Sequence, residues 1–199
     1  MRKLLTVALI AGLAVTVTAK DEPKKSSNTD YKLNLTESTF KWTGKKVTTS
    51  HWGHVKYSNA TFNIENKKFQ GGEFVMDMTT IDNRDMQGEY SDKLVNHLKS
   101  DDFFSTAKFP TSTLKTKSVT AIAGAKAGSP NYNIVADLTI KGITKEVSFP
   151  AQIIITNDKV IANAEFEIDR TLYDITYKGM ADNLIHNNFT VNVRVVANK

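Results

Sequence analysis

From residue 31 onward the apolar positions of the chain recur with a period of two. Tyr132, Ile134, Ala136, Leu138 and Ile140 alternate with Asn133, Val135, Asp137 and Thr139. The same alternation runs through Val147, Phe149, Ala151, Ile153 and Ile155, and through Ala162, Ala164, Phe166 and Ile168. It returns in Phe189, Val191, Val193, Val195 and Ala197. Successive side chains of an extended strand point to opposite faces, so each run predicts a strand with one dry and one mostly wet face. Thr39 to Lys46, His51 to Ile64, Phe69 to Met78 and Thr111 to Val119 are less regular but rich in strand formers.

The connections suit antiparallel neighbours. Asn66-Lys67, Lys141-Gly142 and Asn157-Asp158 sit between apolar runs as hairpin turns, and Gly124 to Pro130 reads as a longer hairpin loop. No helical pattern lies between consecutive strands to carry parallel crossovers. One stretch breaks the period. Leu94, Val95 and Leu98 fall on one helix face between Ser91 and Lys99, with Ser91 as the expected cap and Asp92 and Lys99 placed as the dipole favours. Gly71-Gly72 lacks the rest of a phosphate loop and predicts a bulge or tight turn. About eight strands with one dry face must close into a barrel or stack as a sandwich. An eight-stranded barrel is either filled by its own side chains or holds one small ligand, and periodicity leaves both open.

The N-terminus adds a separate segment. Arg2 and Lys3 precede an apolar run from Leu4 to Val17, and Val17-Thr18-Ala19 offers small residues for cleavage. That order predicts a secretory signal peptide over 1–19, cut after Ala19, with the product in the periplasm or outside the cell. Residues 20–30 are polar and predict a disordered tether ahead of one domain over 31–199. Removing Arg2 and Lys3 lowers the formal net charge from +5 to +3. The remaining lysines come in scattered pairs rather than a stripe, which argues against nucleic acid.

Candidate chemistry is sparse. The chain has no cysteine, which excludes disulfides, thiolate metal sites and a cysteine nucleophile. Its four histidines, His51, His54, His97 and His186, show no compact ligand spacing, so neither a metal nor a cofactor is expected. Asp77, Asp82 and Asp85 straddle a loop and read as solvated or capping. No Gly-x-Ser-x-Gly elbow occurs. Three readings stand: a ligand-holding barrel, a filled-core interaction module of the cell envelope, and an enzyme on a lipid headgroup using His51 or His97 as base.

Several motifs then stand in a recognisable order: Lys41-Trp42-Thr43-Gly44-Lys45 with His51-Trp52-Gly53, and Gly72 to Ile81. They continue with Lys93 to Phe104, Phe109-Pro110, Leu138 to Lys145, and Phe166-Glu167-Ile168-Asp169-Arg170. In that order and spacing the chain resembles the YceI family of polyisoprenoid-binding periplasmic proteins, from about Tyr31 to Ala197. The resemblance implies a lipocalin-like, eight-stranded antiparallel β-barrel with a short helix between strands and a long internal tunnel, often paired as a homodimer. It implies a polyisoprenoid, an isoprenoid quinone or another long-chain lipid as ligand, transient membrane contact for lipid exchange, and no catalytic set. By position, His97, Phe103 and Phe104 lie where helix meets barrel, and Trp42, Phe74 and Met76 wall the tunnel. The dry faces add Ile134, Leu138, Ile153, Phe166 and Val191. Met76, Asp174 (where a glycine is expected after Tyr173) and Asn187-Asn188 depart from the family pattern.

Overall fold

The alternating runs fold as strands of one antiparallel sheet that closes on itself. The computed structural model describes residues 31–181 and 183–199; the signal-peptide and tether expectations over 1–30 lie outside the described residues. The long strands are β2 (Thr39–Lys46), β3 (Ser50–Glu65), β4 (Lys68–Asp77), β5 (Thr111–Ala121), β6 (Tyr132–Ile140), β7 (Ile143–Ile155), β8 (Lys159–Asp169) and β10 (Asn183–Asn198). Each pairs with its neighbour in sequence from β2 to β8, and β10 closes the barrel by pairing with both β2 and β8. Two short strands, β1 (Lys32–Leu33) and β9 (Gly179–Met180), pair with the two ends of β10 and carry no sequence pattern that predicts them. Val191 stands opposite Trp42 on one side and Phe166 on the other, so the dry sets of three strands share the inner face.

The turns obey local backbone chemistry. Asn66 and Lys67 both have positive φ, as do Lys141 and Gly142, which is the two-residue hairpin geometry that matches strand twist. Asp174 adopts the left-handed conformation (φ 56°, ψ 37°) that explains why a glycine suits this place. At Gly71 (φ 139°) the register between β3 and β4 slips, leaving Gln70 as the extra residue of a bulge.

The helix, α1 (Gly88–Lys99), starts three residues before the expected cap. Gln87 occupies the N-cap without a side-chain hydrogen bond, and Ser91 lies inside the helix. A glycine-led start with no capping side chain leaves little trace in sequence. Leu98 is the buried residue of α1, and Leu94 packs against the core.

Between β4 and α1 the chain runs as a strap along an exposed strand edge. The last β3–β4 pair is Lys56 with Asp77, so the first residues of β3 lack a neighbour on that side. Residues 80–85 supply one. Asp82 N–H donates to His54 O (3.0 Å), and the Asp82 carboxylate accepts from His54 N–H (2.7 Å). Arg84 N–H donates to Trp52 O (2.9 Å), and Asp85 accepts from Trp52 N–H (2.8 Å) and binds His51 Nδ1 (2.8 Å). Burial pushes the Asp85 carboxyl up, but hydrogen bonds from the Trp52 amide, the His51 ring and Asn83 outweigh it and hold it below the ordinary aspartate value. The aspartates therefore stand in for backbone carbonyls that a ninth long strand would offer.

Candidate functional site

The inward side chains do not fill the barrel. A cavity of about 150 Å³ remains along its axis, walled by side chains from every long strand and by the segment after α1. On β10 the wall runs from Ile185 to Val195, roughly 30 Å of strand path at ~3.3 Å per residue. The space is a narrow channel rather than a compact hole. Aromatic rings border it: Phe149 and Phe166 stack at 4.1 Å between centroids, and Phe74 is braced from behind by Phe62, edge-on at 5.6 Å. Ala162 and Ala164 put little volume on the inner face of β8 and, with Phe166, remain only half-buried there.

Of the residues singled out from sequence, Trp42, Phe74, Met76, Phe103, Phe104, Ile134, Leu138, Ile153 and Phe166 all border the channel. Two of the residues singled out are absent from the channel wall. Val191 faces inward but is fully buried and does not reach the channel, because the strands beside it place Trp42 and Phe166 next to it. His97 lies outside the channel. Its ring meets Phe103 (4.9 Å) and Tyr177 (4.6 Å) edge-on, and Nε2 stands 3.2 Å from Asp102. His51 is held by Asp85 at the strap and is likewise absent from the channel wall. Among the described residues no group of three or more histidines and carboxylates is placed to hold a metal ion.

The ends of the barrel differ. The turns after β3, β5 and β7 lie at one end. The other carries the strap, α1, Phe103, Phe104 and the β2–β3 and β9–β10 turns. At this helix end β10 slips register against β2 between Ile185 and Phe189, so three residues of β10 face Lys45 alone. The wall is loosened there, and a polar depression opens beside the channel. Lys45, Glu167, His186, Asn187, Asn188 and Thr190 line it, and it shares Ile185, His186 and Asn188 with the channel. Asn187-Asn188, turn-forming residues inside a strand run, is the sequence signal for this slip.

Sequence reasoning missed Arg170 as a wall residue. It is buried and borders the channel, and its guanidinium donates to the carbonyls of His186 (3.0 Å), Ile185 (3.3 Å) and Ile175. Burial lowers its pKa, with Asp169 opposing. Arg170 thus ties the loosened start of β10 to the turn after β8, and its donors face carbonyls rather than the channel. Ser112 in the wall likewise donates to Thr139 O (2.7 Å). Arg170 and Ser112 thus turn their polar atoms into the fold, while the Thr116 hydroxyl in the wall is buried without a partner, and the channel surface is overwhelmingly apolar.

A family model described as the YceI-like domain matches residues 31–197. UPF0312 proteins of two Staphylococcus aureus strains, bovine RF122 / ET3-1 and N315, are 47% identical over 57 residues. That stretch covers 29% of this chain and 28% of each relative. Among solved structures, BcnA of Burkholderia cenocepacia superposes with a TM-score of 0.67 at 18% identity, covering 82% of this chain and 98% of that one. A polyisoprenoid binding domain from Saccharophagus degradans gives 0.60 at 14% identity, covering 84% and 97%. The YCEI protein of Campylobacter jejuni gives 0.51 at 21% identity, covering 72% and 81%. The fold is common to all three.

Proposed function

Because the chain belongs to the family of YceI-like domains, we propose that it is an exported binding protein, not an enzyme, that holds a long-chain amphiphile in its channel. The ligand is a polyisoprenoid, an isoprenoid quinone or a similar lipid. The observation that carries this reading is the apolar-walled space of about 150 Å³ that side chains from every long strand border. The polyisoprenoid binding domain among its structural neighbours supports the same ligand class. Each ~100 Å² of apolar chain surface removed from water contributes roughly 2.5 kcal/mol, and ordering a flexible chain offsets part of that gain. Shape and dryness supply the affinity. The polar end of the ligand sits at the depression around His186 and Asn188, where the wall is loosened.

The test is mass spectrometry of an organic extract from protein purified without added lipid. About one long-chain amphiphile per chain is expected, and an extract with no lipid from folded protein would overturn the reading. Export rests on the charged start, apolar run and small residues over 1–19. N-terminal sequencing of exported material is expected to begin at or within a few residues of Lys20. An intact Met1 on that material would exclude cleavage.

A further inference from the structure

At the helix end the channel meets the polar depression through Ile185, His186 and Asn188. Towards the other end the register of the sheet marks where it stops. Ile153 pairs with Ala162 and Ala162 with Val195, across β7, β8 and β10, and all three border the channel. One inward row further, Ile155 pairs with Val160, Val160 with Ala197, and Ala197 with Leu33 of β1. These four side chains pack in the same hydrophobic core, yet none of them borders the channel. Val160 and Ala197 are fully buried, and Ile64, buried at the end of β3, also stays off the channel. A row that lines the space is thus followed at once by a row that closes it.

The N-terminal segment fastens this floor. β1 brings Leu33 into the row by pairing with the end of β10. Tyr31 packs on the same core, and its hydroxyl donates to Thr156 O (2.8 Å) in the β7–β8 turn, which carries the ring past the end of β10. Lys159 Nζ, next to Val160 in the chain, donates to the Glu37 carboxylate (2.9 Å). The segment ahead of β2 is therefore bolted to the β7–β8 hairpin from both sides of the closing row.

We propose that this floor is a length stop, so that the protein selects its ligand by chain length. The inference deepens the lipid-carrier reading and rests on it. With the polar end at the depression, the tail points at Ala162 and then at Val160. A longer tail must push the polar end out of the depression or leave carbons in water, and either forfeits the gain from burial. Ala162 sets the reach. It is the smallest side chain of the last open row, so added volume there raises the floor, and volume removed from Ile155 lowers it. One row is two residues, roughly 6.6 Å of strand path at ~3.3 Å per residue, or about one five-carbon unit.

The experiment is a competition among all-trans prenols. The full chain, Ala162→Leu and Ile155→Ala are each incubated with an equimolar mixture of geraniol, farnesol, geranylgeraniol and geranylfarnesol. Free prenol is removed by gel filtration, and the bound set is read by mass spectrometry of the extract. The parent is expected to prefer one length, with retention falling on both sides of it. Ala162→Leu is expected to move the preference one unit shorter and to reduce retention of the parent's preferred prenol by about tenfold, as one excess methyl does in an apolar pocket. Ile155→Ala is expected to move it one unit longer. Should Ile155→Ala not fold, Ala162→Leu decides, because its side chain enters open space. Retention that climbs with length to the end of the series would overturn the stop, as would a preference that Ala162→Leu leaves in place. In both cases the lipid-carrier reading would stand. A parent that retains no prenol would overturn the stop and the carrier reading together.

Discussion

Replacing Ala164 with tryptophan is expected to empty the channel while leaving the barrel folded. Ala164 lies on the inner face of β8, half-buried, opposite Ala151 on β7 and Val193 on β10. All three border the channel, so an indole at 164 has open space ahead of it rather than a packed neighbour. Overpacking of a filled core costs about 1–3 kcal/mol, and the cost here falls at the low end because volume is available. Lipid in the organic extract is expected to drop at least tenfold, with circular dichroism and urea midpoint close to those of the parent. A folded variant that still yields one lipid per chain would mean that the ligand lies elsewhere. Val191→Trp is a different experiment: that side chain is fully buried beside Trp42 and Phe166, so the substitution strains the fold before it narrows the channel.

The second large effect concerns Gly53. A Cβ at this position would lie 1.9 Å from Asp82 O and 2.9 Å from Trp42 Nε1. Neither neighbour has freedom to yield. Asp82 O accepts the Trp42 indole N–H at 3.1 Å, and Asp82 also holds both hydrogen bonds to His54. Gly53→Ala must lift the strap off β3 and unseat Trp42 from the channel wall. The expected loss is at least about 3 kcal/mol, from overpacking together with several hydrogen bonds. Gly44→Ala is the control. It lies on the neighbouring strand, its added Cβ would meet only Trp42, at 3.9 Å, and it is expected to change stability by less than about 1 kcal/mol. Urea denaturation of the three proteins checks the pair, and equal midpoints would show that the strap is not a structural clamp.

These effects mark what could be read from the chain. The pleat rule assigned Ile134, Leu138, Ile153 and Phe166 to the inner face because alternation depends only on the local backbone. It also assigned Val191 to the correct face, but depth depends on the side chains of the two neighbouring strands, which alternation along one strand cannot report. His97 was placed where the helix meets the barrel, but which way its ring turns was not legible. A short helix with one buried residue leaves its rotation to the tertiary contacts of Phe103 and Tyr177. The strap was illegible, since Asp82 and Asp85 meet β3 through contacts some thirty residues apart. Its one local trace is Gly53, a glycine inside a strand run, which signals close backbone approach. The open channel itself has no period at all, being a property of summed side-chain volumes.

The closure of the barrel bears on how the protein reaches this state. Trp42 meets Val191 across a seam whose strands are separated by most of the chain, whereas every other long-strand pair joins neighbours in sequence. The hairpins can form early and locally, but the last seam demands a loop closure of about 150 residues, the kind of contact that slows folding. Until β10 arrives, β2 and β8 are open edges with apolar faces, vulnerable to pairing with other chains. The wall of the channel is completed by that same strand. Sealing the sheet and enclosing the channel are therefore one step, and a chain caught before it has neither a closed barrel nor an enclosed interior.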